Sequence, residues 1–217
     1  MRLVVGLGNP GERYARTRHN VAWAVLDELA ARHAAEEAPG HATFRARRAV
    51  IAEQVVSLLQ PLTFMNLSGE ALLAWRERHG MEEALLVVSD DVYLPLGMLR
   101  MRARGSSGGH RGLDSIEAAV GSTEYTRLRI GVGAADDAAA LREHVLEEIA
   151  PEELPVLAGA VRQAADAVEC WLALGALGAM NKFNRRVDPS SGSVRQEESE
   201  TRPSTKRSTS SSRATTR

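Results

Sequence analysis

Residues 3–5, Leu-Val-Val, lead without a break into Gly6-Leu7-Gly8-Asn9-Pro10-Gly11. No other stretch limits the possible folds as strongly. A short apolar run bounded by glycines reads as a buried strand feeding a turn. The polar segment that follows carries Arg13, Tyr14, Arg16, Thr17, Arg18, His19 and Asn20, and apolar helical spacing begins only at Val21. One strand end thus gathers an imidazole, two carboxamides, an aromatic ring and several guanidinium groups. Ligands bind outside the carboxyl ends of strands in open α/β sheets, so this is the first place to look for a site. Gly6, Gly8 and Gly11 also satisfy G-x-G-x-x-G. Dinucleotide binding requires a helix opening at the last glycine and an acidic residue capping the next strand about 20 residues on. Pro10 interrupts the motif, and Asp27 and Glu28 fall within the later helix. The glycines read better as a tight turn that needs positive φ.

Periodicity places a helix from Val21 to about His33, with Asn20 positioned to cap it. Residues 36–41 contain Pro39-Gly40 and read as loop, and 43–50 and 51–60 read as two strands. A helix over Asn66–His79 is stopped by Gly80. Leu85–Val88 forms a strand ending in Ser89-Asp90-Asp91, and 97–104 alternates arginine with apolar residues as a half-exposed strand does. After the glycine-rich loop 105–112 come a helix at Leu113–Val120, a strand at Tyr125–Val132, and helices at 138–149 and 152–174. Strands alternating with helices specify one α/β domain. The 43–60 pair makes its twisted, helix-flanked sheet a mixed one.

From Asp188 the chain turns Ser/Thr-rich and almost free of large apolar residues. Such a segment buries too little surface to offset its ordering entropy. The domain is therefore expected over 1–187 and a disordered tail over 188–217. The single Cys170 forms no internal disulfide and points to a reducing, cytoplasmic compartment. Met1-Arg2-Leu3 leads directly into a strand with no signal peptide apparent, and no apolar run is long enough for a membrane span. With a formal net charge of −1, any nucleic-acid affinity must come from a local patch. Arg100, Arg102 and Arg104 with Arg111, Arg127 and Arg129 supply one. On one face of a strand, alternate guanidinium groups lie roughly 7 Å apart.

Of six histidines, His33, His79 and His144 sit on helices among charged residues and read as solvated, and His41 lies in a loop. His19 and His110 stand at strand-to-helix junctions. No pair has a metal-ligand spacing, so no metal is expected. A neutral imidazole is then a candidate general base, with Asp90 or Asp91 as its orienting acceptor. Gly105-Ser106-Ser107-Gly108-Gly109 matches G-x-S-x-G, and Asp136 and His144 follow in hydrolase order. A nucleophile elbow needs a buried strand before it, whereas this loop follows a strand of alternating arginines. A loop of backbone N–H groups near Arg102, Arg104 and Arg111 suits a phosphate better.

The segments Gly6–Gly11 with Tyr14 and Thr17–Asn20, Pro61–Gly69, Asp90–Gly97, Gly108–Leu113, Arg127–Gly133 and Met180–Asn184 together resemble, in order, the motifs of bacterial-type peptidyl-tRNA hydrolases. The resemblance covers about residues 1–186. It implies a monomeric mixed-sheet α/β domain, no cofactor, and hydrolysis of the ester joining a peptide to the terminal ribose of tRNA. It implies His19 as general base, Asp90 as the group that holds it, and Asn9 as a discriminator of N-blocked aminoacyl groups. Tyr14, Phe64 and Asn66 would contact the tRNA end or the peptide, Met65 would line the site, and His110 would lie beside the cleft. Arg102 and Arg129 would meet tRNA phosphates. Arg111 stands where the family usually has asparagine. Arginine accepts no hydrogen bond, so it would hold a phosphate or a carboxylate instead. An ester needs only a positioned water and a base near neutrality. Recognition of N-acylation suits an amide acceptor, because a free amine would be charged and costly to desolvate. The alternative is an RNA-binding protein of the same fold with weakened catalysis.

Overall fold

The structure is a computed structural model of the 217-residue chain and describes residues 1–133, 141–187 and 194–196. Its centre is a seven-stranded sheet. The strands are β1 (Arg2–Gly6), β2 (Glu36–Glu37), β3 (Phe44–Ile51), β4 (Gln54–Pro61), β5 (Ala84–Asp91), β6 (Leu99–Arg102) and β7 (Thr126–Gly131). Their order across the sheet is β2-β3-β4-β1-β5-β7-β6. The four central strands, β4-β1-β5-β7, are parallel, and β2, β3 and β6 add antiparallel edges. β1 and β5 are buried on both faces and accordingly read as apolar runs rather than alternating ones.

Helices α1 (Val21–Arg32) and α5 (Leu154–Phe183) close one face over Val4, Leu86, Val88 and Leu128. Helices α2 (Ser68–His79) and α3 (Arg111–Val120) close the other over Leu3, Val5, Leu59 and Val87, with Trp75 fully buried among them. The remaining helix of the described residues, α4 (Leu141–Leu146), lies beside the loop after β1. β1 runs on to α1 on one face, while β5 runs on through β6 to α3 on the other. Neighbouring parallel strands whose connections leave to opposite faces open a crevice at their carboxyl ends.

Several local expectations change. Asn20 makes no cap bond to α1. Its carboxamide reaches back to Asn9, accepting from the Asn9 N–H at 2.8 Å and donating to its carbonyl at 3.0 Å. In the glycine turn only Gly11 has positive φ. Gly6 and Gly8 are glycine because Leu26 and Trp23 approach within 2.8 and 2.5 Å of where a Cβ would stand. The 36–41 segment contains the two-residue strand β2. The β3–β4 turn is Ala52-Glu53, both residues at positive φ, without the Asn-Gly or Asp-Gly that normally marks such a hairpin. α5 breaks at Gly175, φ 73°, then resumes for another two turns, so the expected end at Leu174 coincides with a kink. Of the expected tail, Val194–Gln196 pairs antiparallel with Arg185–Val187. The remainder of 188–217, and Asp136, lie outside the described residues. No helix among the described residues is long and apolar enough to cross a membrane.

Candidate active site

The crevice at the ends of β1 and β5 is a cleft of about 430 Å³. His19 enters it from a 3-10 turn, Arg18–Asn20, between the glycine loop and α1. That turn is anchored by Arg18, whose buried guanidinium pairs with Glu153 at 2.5 Å and donates to the Glu148 carbonyl at 3.2 Å. The bridge between Thr17 and Glu148 and the Ile149 N–H to Arg16 carbonyl bond join the same two segments. Val145 and Leu146 thereby become a wall of the cleft. No feature of the sequence points to this wall, since it depends on residues 130 positions apart.

Asp90 is 2% exposed, and its Oδ1 accepts from both His19 Nδ1 at 2.8 Å and His110 Nε2 at 2.9 Å. Burial by itself pushes this carboxyl up. The bonds the two imidazoles donate, and the positive charge each brings when protonated, outweigh burial and hold it well below the ordinary carboxylate range. The two histidines are not equivalent. His110 caps α3, and its Nδ1 accepts from the N–H groups of Gly112 and Leu113 at 3.1 and 3.3 Å. A nitrogen that accepts carries no proton, so His110 is fixed as the neutral Nε2–H tautomer. His19 carries its proton on Nδ1, and among the described residues its Nε2 has no partner. The two ring centroids are 5.3 Å apart. His19, Asp90 and His110 are the described residues that could hold a metal, with ligand atoms within 4.8 Å of one another. As arranged, both rings donate N–H bonds to the carboxylate, and a metal would have to displace those protons.

Asn9 is buried, and its Oδ1 accepts the Met65 N–H at 2.8 Å. Its amide NH2 is therefore what remains to face the cleft. The Asn9 oxygen thus spends one of its two lone pairs on the Met65 N–H. Tyr14, Phe64, Met65, Asn66, Arg111 and Arg129 also line the cleft. Phe64 is 52% exposed at its rim and Asn66 is exposed beside it. Arg111 is exposed at the first turn of α3.

The expected basic patch divides in two. Arg102 lies on β6 outside the cleft, exposed with Arg100 on the outer face of that strand. Arg127 is 1% exposed, paired with Glu117 at 3.1 Å and bonded to the Thr123 and Gly105 carbonyls. The arginine alternation cannot reveal this, because α3 supplies the covering carboxylate. Arg129 is tied to Asp91. Ser107 Oγ accepts from Gly109 N–H at 3.2 Å, and its loop follows an antiparallel edge strand, so the nucleophile-elbow reading fails. The helix histidines, expected to be solvated, are partly exposed and partly engaged. His33 meets Glu169 at 2.9 Å, the His79 ring lies tilted against Trp75 with centroids 4.0 Å apart, and His144 Nε2 lies 3.2 Å from the Val132 carbonyl. Asp91, the other candidate acceptor for the base, also lines the cleft, as do Val92 and Tyr93, which sequence reasoning did not assign to it.

Residues 3–191 match the sequence profile of the family described as peptidyl-tRNA hydrolase. A peptidyl-tRNA hydrolase from Chloroflexus aggregans is 45% identical over 193 residues, covering 85% of this chain and 99% of that protein. One from Roseiflexus sp. is 46% identical over 186 residues, covering 85% of this chain and 86% of that protein. The crystal structure of the Acinetobacter baumannii peptidyl-tRNA hydrolase superposes with a TM-score of 0.77 at 32% identity, covering 85% of this chain and 94% of that one. Likenesses of this extent, on a mixed α/β sheet with a cleft at its parallel strand ends, define a hydrolytic enzyme. The chain belongs to the peptidyl-tRNA hydrolase family.

Proposed function

We propose that the cleft carries out the family reaction with His19 as the base. The chain is a peptidyl-tRNA hydrolase: it cleaves the ester between a peptide and tRNA and so returns tRNA to translation. The observation that carries the assignment of roles is the bond from His19 Nδ1 to Asp90, which leaves Nε2 as the basic nitrogen. A water beside His19 gives its proton to Nε2 while its oxygen attacks the ester carbonyl carbon. The carbonyl π electrons move onto oxygen, and the Asn9 NH2 donates to that oxyanion. Collapse breaks the bond to the ribose oxygen, which takes the proton back from His19. Asp90 stabilises the imidazolium in between. No serine or cysteine acts as nucleophile, and no step calls on a metal.

Asn66, with an exposed carboxamide, accepts from the N-acyl N–H. Phe64 and Tyr14 hold the terminal nucleotide by stacking, while Met65 packs beneath. Arg111 and Arg102 meet phosphates. The chain acts as a monomer in the cytoplasm, where translation supplies the substrate. Residues 1–187 serve as the catalytic domain, and the Ser/Thr-rich 188–217 as its appendage.

The test is release of N-acetyl amino acid from acetyl-aminoacyl-tRNA by wild type and His19→Ala, with unacetylated aminoacyl-tRNA as control. Turnover by wild type that is lost in His19→Ala and spares the free aminoacyl ester is expected. Equal activity in His19→Ala would reject the base assignment. RNA binding without wild-type turnover would favour a binding protein of the same fold.

A further inference from the structure

One guanidinium in the cleft is unaccounted for. Arg111 is exposed and lines the cleft, and among the described residues it has no hydrogen-bond or ion-pair partner. The two carboxylates of the cleft are engaged elsewhere. Asp90 accepts from His19 and His110, and Asp91 lies 3.1 Å from Arg129. The place of Arg111 is fixed from both sides. Before it, His110 gives its Nε2–H to Asp90 and caps α3 through Nδ1. After it, Gly112 sits on Met65, where a Cβ would stand 2.5 Å from Met65 Sδ and 2.9 Å from Leu7 Cδ1. Met65 is flanked by Phe64 and Asn66, both on the cleft. The first turn of α3 is thus held between the His19–Asp90–His110 set and the segment that carries the exposed Phe64 ring. Arg111 is rooted between the two.

An unpaired cation in a cleft attracts an anion, and the substrate brings one to this place by necessity. The ribose that carries the scissile ester is joined through its 5′ oxygen to a phosphodiester. In every peptidyl-tRNA a phosphate therefore stands one nucleoside away from the reacting carbonyl. With that carbonyl at His19 and the terminal base on Phe64, this phosphate is the anion nearest to a side chain rooted between them. A peptide carboxylate is present only when the peptide supplies an aspartate or glutamate.

We infer that Arg111 grips the phosphodiester linking the last two nucleotides, so that hydrolysis is tuned to an RNA 3′ end rather than to an esterified nucleoside. The inference rests on the hydrolase reading above and specifies which phosphate Arg111 meets. The planar guanidinium fork suits two phosphate oxygens at once. Arg102 and Arg129 are left for phosphates farther along the tRNA. The phosphodiester does not change while the ester is cleaved. The contact is therefore equally strong in the ground and transition states, and on tRNA it shows in KM rather than kcat.

The experiment uses two small substrates that differ by one group: the N-acetyl-aminoacyl ester of adenosine, and the same ester of adenosine 5′-(methyl phosphate). Wild type, Arg111→Gln and Arg111→Lys are compared on both, with alanine as the amino acid and again with aspartate. In wild type the phosphate is expected to raise kcat/KM roughly tenfold, as a hydrogen bond to a charged group does. Arg111→Gln should lose that advantage. Arg111→Lys keeps the charge but not the fork and should recover part of it. On acetyl-aminoacyl-tRNA, Arg111→Gln should raise KM and lower its salt slope by about one. The 15N shift of Arg111 Nε reads the contact without turnover: adenosine 5′-(methyl phosphate) should move it, and adenosine should not.

A phosphate advantage equal in wild type and Arg111→Gln overturns the inference. So does a wild-type preference for the aspartyl over the alanyl ester of adenosine that disappears in Arg111→Gln, which assigns the guanidinium to a peptide carboxylate. A wild-type protein that turns over neither the esters nor acetyl-aminoacyl-tRNA defeats the hydrolase reading itself, and the Nε shift still decides whether Arg111 holds the phosphate.

Discussion

Replacing Asp90 by asparagine is the sharpest test of the site's electrostatics. The side chain keeps its shape, and Oδ1 can still accept the two bonds now made to His19 and His110 at 2.8 and 2.9 Å. What is lost is the charge. During the reaction His19 becomes an imidazolium with its charge about 4 Å from the carboxylate. At an effective dielectric near 20, the attraction is about 4 kcal/mol. It exists in the charged intermediate and not in the resting neutral ring, so nearly all of it acts on the barrier. At 1.36 kcal/mol per tenfold, kcat should fall by about 10³, with KM little changed because Asp90 is 2% exposed and does not reach substrate. Asparagine can also turn its NH2 toward His19 Nδ1, which would force the ring proton onto Nε2 and remove the base. That outcome would deepen the loss. Single-turnover hydrolysis of acetyl-aminoacyl-tRNA measures the effect without product release. A kcat within tenfold of wild type would refute the reasoning. The pH dependence of stability offers a second check. The depressed Asp90 carboxyl is ionised in the folded state well below the pH at which an unfolded carboxylate protonates. Its contribution is complete above about pH 4 and is lost progressively as pH falls below that. Asp90→Asn should flatten the acid limb of the stability curve.

Three further outcomes concern the scaffold. In Gly69→Ala the new Cβ would stand 2.2 Å from the Ser115 carbonyl oxygen and 2.9 Å from Ala119 Cβ, forcing α2 away from α3. Overpacking of about 3 kcal/mol exceeds the roughly 1 kcal/mol that alanine gains in a helix, so urea unfolding should show a net loss of about 2 kcal/mol. Tyr125 is 5% exposed, its hydroxyl is buried without a partner, and burial pushes its pKa up to about 12. Tyr125→Phe should therefore raise stability by about 1 kcal/mol. In wild type the unfolded chain loses the phenol proton near pH 10 while the native state retains it, so stability falls between pH 10 and 12, a loss Tyr125→Phe should reduce. Asn184 Oδ1 accepts the Met101 N–H at 2.7 Å and Nδ2 donates to the Met101 carbonyl at 3.0 Å, filling in for a missing strand beside the edge strand β6. Asn184→Ala should cost about 2 kcal/mol and increase concentration-dependent association, because it frees an edge. Thermal melts and light scattering would measure both effects.

Much of this architecture follows from local pattern. The apolar runs at Leu3–Val5 and Leu85–Val88 became the central strands β1 and β5, and the stripe Val21, Val25, Leu26, Leu29 became the buried side of α1. These succeed because strand and helix periods are properties of a few neighbouring residues. Ordered motifs pointed to the family and brought His19, Asp90, Asn9, Phe64, Met65 and Asn66 to attention, and all six line one cleft. The pattern misled where a distant element decides the environment. Arg127 and Arg129 alternate like exposed residues, yet Glu117 on α3 and Asp91 on β5 claim them. Asn20 stands where a cap belongs, yet the glycine turn folds back within its reach. The sequence by itself thus determined which segments are strands and helices and which side chains to look for in one cleft. Only the tertiary structure decided which nitrogen of His19 bonds Asp90, which end of Asn9 bonds Met65, and which arginines are paired. Those outcomes depend on hydrogen bonds across 71, 56 and 38 residues, and the order of strands in the sheet, not local spacing, brings such partners together.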